Sequence, residues 1–134
     1  MKLTLTAVEN IPMVEPGDDL VDQICAGLES MGESLLDGDI LVLAQKIVSK
    51  AENRYVDLKT VVPSAEAIAL GHEVDKDPRK VQVILDESNE VVRKRPGVLI
   101  VEHRLGFVAA NAGIDQSNIQ QNGVDGDDLC LLLP

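Results

Sequence analysis

Only two of the 134 residues, Tyr55 and Phe107, are aromatic, yet 45% of the chain is hydrophobic. A core must therefore be assembled from Val, Ile, Leu and Ala, carried on short apolar runs whose period shows what each run becomes. Residues 2–8 alternate Leu3, Leu5 and Ala7 against Lys2, Thr4 and Thr6, the pattern of a half-buried strand. Gly17-Asp18-Asp19 opens a helix with Asp18 as its cap and Leu20, Ile24 and Leu28 as its apolar stripe. Asp37-Gly38-Asp39 is a turn into residues 40–44, an apolar run suited to a buried strand. Residues 45–51 read either way, since Ile47 and Val48 suit a strand while Lys46 and Lys50 pair on a helix face.

Further along, residues 55–58 form a short strand, and Pro63-Ser64-Ala65-Glu66 starts a helix with Ala67, Ile68 and Leu70. Asp77-Pro78 starts another, with Val81, Ile84, Leu85 and Ser88 on one face. Residues 98–102 and 107–110 form a hairpin across Arg104-Leu105-Gly106. Residues 129–133 are a last apolar run before Pro134, which either finishes a sheet or leads into more chain. The expectation is an α/β (α+β) fold, a mixed sheet with several short helices, over a single domain portion, residues 1–134.

Charge excludes several partners. Residues 1–45 carry one base, Lys2, against nine acids, and residues 105–134 carry four acids and no base. Such a surface suits neither duplex nucleic acid nor an anionic membrane, and two aromatics make no stacking platform for single strands. No apolar run reaches about 18 residues, the N-terminus lacks a signal-peptide core, and Cys25 and Cys130 lie in no metal or redox spacing. These features place the chain in the cytoplasm, with no nucleic acid and no membrane as partner. The middle segment, residues 46–104, is close to neutral, and its Lys46, Lys50 and Arg54 either face solvent or meet a small anion.

The stretch 106–118, GFVAANAGIDQSN, is a short strand running into a loop with Asp115, Ser117 and Asn118 just after Asn111 and Gly113. A carboxylate and an amide three residues apart suit a metal and the oxygens of a phosphate. The competing reading is an Asx turn that satisfies only local backbone groups. Neither phosphate-binding glycine motif is present, and no nucleophile with its base is visible. His72 reads as a surface residue and His103 as half exposed, while Glu87, Glu90, Asp125, Asp127 and Asp128 read as solvated charges. The run Arg93-Lys94-Arg95 reads as a solvated face before it reads as an anion site.

The segments IPMVEPGDDL, LLDGDILVLAQKIVSKAENRYVDL, VPSAEAIAL and KDPRKVQVILDESNEVVRKRPGVLIVEHRLGFVAANAGIDQSN, with the final LLLP, resemble in order and spacing the coenzyme F420-0:L-glutamate ligase (F420-0 gamma-glutamyl ligase) family. The resemblance covers essentially the whole chain and corresponds to the N-terminal half of the family. It implies a GTP-dependent ligase of coenzyme F420 biosynthesis that joins L-glutamate to coenzyme F420-0 through an acyl phosphate. Mg or Mn acts with it, and K assists. By resemblance, Asp115 is a metal ligand. Asn118, the segment Ile11, Pro12, Met13 and Val14, the pair Gln45 and Lys46, and Lys50 contact the nucleotide. No catalytic side chain is assigned.

Family members continue past the LLLP segment into a portion that supplies a further metal-binding Asp with its neighbouring Thr, and a later nucleotide-binding stretch. One carboxylate alone binds magnesium weakly. The expectation is that this chain does not catalyse by itself. It is either part of a complete ligase, with a homodimer or a partner supplying the remaining half, or a catalytically incomplete nucleotide-binding or assembly module derived from one.

Overall fold

The computed structural model describes residues 2–117, 119, 123 and 127–134. The chain divides into two compact units, Met1–Arg54 with Pro134, and Tyr55–Leu133.

In the first unit, helix α1 (Leu20–Ser30) is capped by Asp19, whose carboxylate accepts from the N–H groups of Val21 and Asp22 at 2.9 and 3.1 Å. These are donors that a first helical turn leaves unpaired. The cap thus lies one residue past Asp18, which instead accepts from the Glu15 N–H and the Gln23 amide, both at 2.8 Å. A Cβ on Gly27 would stand 2.7 Å from Val8 Cγ1 and 2.9 Å from the Glu9 carbonyl. Only glycine lets α1 approach that segment so closely. The two readings of residues 45–51 resolve to helix α2 (Gln45–Ala51), in which the Gln45 amide donates to Ser49 Oγ one turn on at 2.6 Å.

Two expected strands do not form. Among the described residues, 2–8 and 40–44 have no ladder partner. Leu5, Ile40 and Val42 are 87, 85 and 90% exposed, so residues 40–44 are not the buried strand their composition suggests. An apolar run reports which side chains want burial, but a strand also needs a neighbour for its backbone N–H and C=O groups. These segments instead line an apolar cleft of about 340 Å³ with Leu20, Gln23, Ile24 and Ile47.

In the second unit, β1 (Tyr55–Asp57) pairs with β5 (Leu129–Leu131), and β2 (Ser88–Arg95), β3 (Val98–His103) and β4 (Val108–Ala110) form a three-stranded sheet in that order. Every pairing is antiparallel, and the β3–β4 hairpin joins the residues expected of it. Strand β2 carries the basic run Arg93-Lys94-Arg95 on an exposed stretch, where Lys94 pairs with Glu73 at 2.8 Å. Ser64 Oγ caps α3 (Ala65–Val74) by accepting from the Ala67 N–H. Asp77 caps α4 (Pro78–Asp86) with proline at its first position, as the sequence predicts. Val81 and Ile84 of α4 are fully buried against Ala67, Val74, Leu99, Val101 and Cys130, a core with no aromatic ring. Tyr55 packs on a smaller cluster of Ile119, Leu129 and Leu131. No described helix is long and apolar enough to cross a membrane.

Candidate functional site

The loop that follows β4 is held at both ends. Val108 to Ala110 pair with β3, and Asp115 forms a bridge with Leu131, its N–H and C=O bonded at 3.0 and 2.8 Å. Between these anchors Asn111, Ala112 and Gly113 take φ of 52, 53 and 71°, three left-handed residues in succession. Ala112 and Ile114 are buried in the core beside α4. Asp115 Oδ1 then accepts from the Ser117 N–H at 2.8 Å and from Ser117 Oγ at 2.7 Å. The Asx turn is therefore present. It also fixes the direction of the carboxylate, as a metal ligand requires. Asn118 lies outside the described residues.

Lys80 of α4 reaches this loop, its ammonium bonded to Gln116 Oε1. Burial holds the Lys80 pKa below its ordinary value, with Asp115 among the charges opposing the shift. Nothing in the sequence pattern marks Lys80, since its place depends on how α4 packs against the loop. Burial also pushes the nearby Cys130 thiol up to about 11.

The other expected contacts lie in the first unit. Ile11 is half-buried, Pro12 and Met13 are exposed, and Val14 is buried. The Gly17 N–H donates to the Ala51 carbonyl at 2.8 Å, tying the loop after Val14 to the end of α2. On that helix Gln45 is exposed, Lys46 half-buried and Lys50 only 9% exposed. Among the described residues, the Lys50 ammonium has no hydrogen bond or ion pair. Its stem is packed while the ammonium stays accessible, an arrangement that leaves the charge available to an anionic ligand.

Three polar residues differ from expectation. His103 is buried, stacked on Phe107 with ring centroids 4.8 Å apart, its Nδ1 accepting from the Leu105 N–H. Glu87 is also buried, 3.2 Å from Arg104 Nε and 3.6 Å from His103 Nε2. The turn after β3 folds back onto the α4–β2 junction, where the Arg104 N–H donates to the Glu87 carbonyl, and this encloses both side chains. Asp128 is not simply solvated either, since it pairs with Lys59 and Arg79 at 3.3 and 3.2 Å. Asp125 lies outside the described residues, while His72, Glu90 and Asp127 are exposed as expected.

Among the described residues no three His, Cys, Asp or Glu side chains converge as a metal cage. Asp115 offers a hard carboxylate oxygen, which fits a magnesium or manganese ion that brings most of its shell as water and phosphate oxygens. The donor chemistry fits such an ion and does not fit an all-protein calcium site.

Comparison with known proteins follows the same segments. Residues 9–134 match the family described as F420-0:Gamma-glutamyl ligase. Among curated proteins, the chain is 46% identical over 119 residues to a coenzyme F420:L-glutamate ligase of Methanothermobacter thermautotrophicus, covering 89% of this chain and 47% of that one. It is 43% identical over 114 residues to the protein of the same name from Methanopyrus kandleri, covering 83% and 43%. With the Methanosarcina barkeri protein the figures are 40% over 120 residues, 90% and 45%. The chain spans about half the length of the curated relatives it matches.

Proposed function

The chain belongs to the F420-0:gamma-glutamyl ligase family, and from that premise we propose that it serves GTP-dependent ligation of L-glutamate to coenzyme F420-0 as one part of a complete ligase. In this reading GTP phosphorylates the F420-0 carboxylate and the glutamate amine displaces phosphate from the acyl phosphate. Two anions must approach each other, so cations have to neutralise the phosphates. The observation that carries the reading is Lys50, whose stem is packed away while its ammonium stays accessible with no ion pair among the described residues. A nucleotide phosphate supplies the counter-charge. By the family resemblance Ile11 to Val14, Gln45, Lys46 and Asn118 are the further nucleotide contacts, Asn118 lying outside the described residues.

Asp115 would hold Mg or Mn with one carboxylate oxygen while its Asx turn keeps the group oriented. The metal, when bound, supplies charge neutralisation at the transferred phosphoryl group, and K serves as an accessory cation. The rest of the ligand set comes from the portion of the family domain that the 134 residues do not span. The second reading, a nucleotide-binding or assembly module without catalysis, draws on the exposed apolar segments 2–8 and 40–44.

Calorimetric titration of GTP with Mg²⁺ into the wild type, Lys50→Met and Asp115→Ala tests the proposal. Loss of one charge-assisted hydrogen bond to phosphate raises the Lys50→Met dissociation constant about tenfold or more. Asp115→Ala makes GTP binding insensitive to Mg²⁺. Equal binding by all three proteins refutes the assignment. Glutamate ligation by the 134-residue chain with no added polypeptide would overturn the expectation that it needs the second half.

A further inference from the structure

Residues 2–8 and 40–44 of the first unit carry clear strand patterns and find no ladder partner among the described residues. No backbone N–H or C=O group of residues 2–8 or 40–43 bonds to another described backbone group. Exposure along the second segment nevertheless alternates as a strand's does. Ile40 and Val42 are 85 and 90% exposed, against 45 and 37% for Leu41 and Leu43. We propose that the two segments are the docking surface for the portion of the family domain that the 134 residues do not span, which lays a strand against them and covers their open face.

The proposal rests on the family assignment and goes beyond the nucleotide chemistry of the ligase reading. A strand with apolar side chains on both faces belongs inside a sheet that is covered on both sides. Leu41 and Leu43 form the more covered face, in a cleft shared with Leu20, Ile24 and Ile47. Ile40 and Val42 lie open, and Leu3 and Leu5 of the other segment are 81 and 87% exposed. Whatever covers them must supply backbone groups along an edge as well as apolar area. A small apolar molecule offers no ladder, and walls this exposed do not enclose it. A contiguous patch of this kind is a surface for another stretch of protein.

Charge and length decide which stretch. Residues 1–45 carry one base against nine acids, with Asp37 and Asp39 just before one segment and Glu9 just after the other. A second copy would bring the same acidic excess to the same edge, which opposes self-pairing. The chain spans 47, 43 and 45% of three curated relatives, so about half of the family domain remains to be accommodated. The first unit also lacks a layer. Its described elements are α1 and α2 alone, with no described sheet packed on them, whereas a domain is built from at least two packed layers. A sheet completed on residues 2–8 and 40–44 gives these helices that layer.

The test co-expresses the 134-residue chain with a polypeptide made of the portion of the Methanothermobacter thermautotrophicus ligase that lies outside the matched stretch. Sedimentation should show a one-to-one complex. In it the amides of residues 2–8 and 40–44 should exchange about tenfold or more slowly than in the chain alone. Val42→Lys and Leu5→Lys place a charge where the partner packs, and at 90 and 87% exposure neither disturbs the free chain. Each should raise the dissociation constant about tenfold or more. Val62→Lys, at an 87% exposed position of the other unit, leaves it unchanged. Absence of a complex, equal strength in every variant, or no protection of the two segments overturns the proposal. So does self-association of the chain that Val42→Lys abolishes, which gives the face to a second copy. The GTP titrations of Lys50→Met and Asp115→Ala are read separately, so failure of the docking and failure of the nucleotide reading are distinguished.

Discussion

Gly113 is where the candidate loop has least freedom, and Gly113→Ala tests that directly. The residue has φ +71°, and a Cβ placed there would lie 2.8 Å from Leu133 Cδ1, 3.0 Å from Cγ and 3.1 Å from Cδ2. Carbon atoms prefer about 3.5–4.0 Å, so the leucine must move as a whole and not merely turn a methyl. Left-handed φ costs a residue with Cβ about 1–2 kcal/mol, partly offset by about 0.4–1 kcal/mol from the stiffer unfolded chain. Displacing a packed side chain adds about 1–3 kcal/mol. Gly97 is the control, since its φ is +79° and nothing lies within 4 Å of its Cβ position. Gly97→Ala therefore carries the conformational cost alone, about 1 kcal/mol or less, and Gly113→Ala about 2–4 kcal/mol. Urea unfolding followed by the fluorescence of Tyr55, the lone tyrosine and a residue of the same unit, reads both at fixed slope. Leu133→Ala placed in the Gly113→Ala background removes the obstructing atoms and should recover about 1 kcal/mol or more relative to the sum of the single changes. Gly113→Ala no more costly than Gly97→Ala would refute the reasoning.

Ile84→Ala empties a fully buried position on α4 and should cost about 2–5 kcal/mol, whereas a loss under about 1 kcal/mol in urea unfolding would mean that the aliphatic core collapses around the gap. Cys25 is exposed and Cys130 is buried with its thiol pushed up to about 11, so a disulfide reagent near neutral pH should titrate one thiol quickly and the second only on unfolding. Rapid modification of both in the folded chain contradicts the packing of β5. The hydrogen-bonded Arg79 guanidinium holds the Asp77 carboxyl below its ordinary value. A depressed folded pKa stabilises fully above the unfolded value, about pH 4, and the effect is lost as pH falls through the folded value. Asp77→Asn keeps a capping oxygen, so melting curves of variant and wild type should differ above about pH 4 and converge in acid; parallel curves across the range refute the linkage.

What could be read from the sequence was what is decided locally. The Asp77-Pro78 start of α4, the Ser64 cap of α3 and the β3–β4 hairpin depend on one cap or one turn, and each is present. Strand β2 was invisible because residues 88–95 show no apolar alternation; its pairing is supplied by β3, and most of its side chains stay exposed. The reverse error occurred at 2–8 and 40–44, where apolar patterning is strong and a ladder neighbour is absent among the described residues. The burial of Glu87 and His103 was equally hidden, because it comes from a turn closing on a junction well before it in the chain, Arg104 N–H on the Glu87 carbonyl.

The loop 111–117 shows how a motif turns into geometry. Read as letters, Asn-Ala-Gly-Ile-Asp-Gln-Ser marks a family; read physically, most positions answer a separate demand. Asparagine tolerates left-handed φ, and glycine admits both the left-handed φ and the close approach of Leu133. Isoleucine goes to the core, aspartate accepts from Ser117, and glutamine meets Lys80. Ala112 is the position these demands do not explain: a buried methyl at φ +53° where glycine would relieve the backbone. Its methyl recovers about 0.8 kcal/mol on burial, and alanine costs the unfolded chain less entropy than glycine, against about 1–2 kcal/mol of left-handed strain. These quantities nearly cancel, so Ala112→Gly should be close to neutral in urea unfolding. The left-handed turn is held instead by its anchors, the pairing of β4 with β3 and the Asp115–Leu131 bridge, and these fix where the Asp115 carboxylate stands.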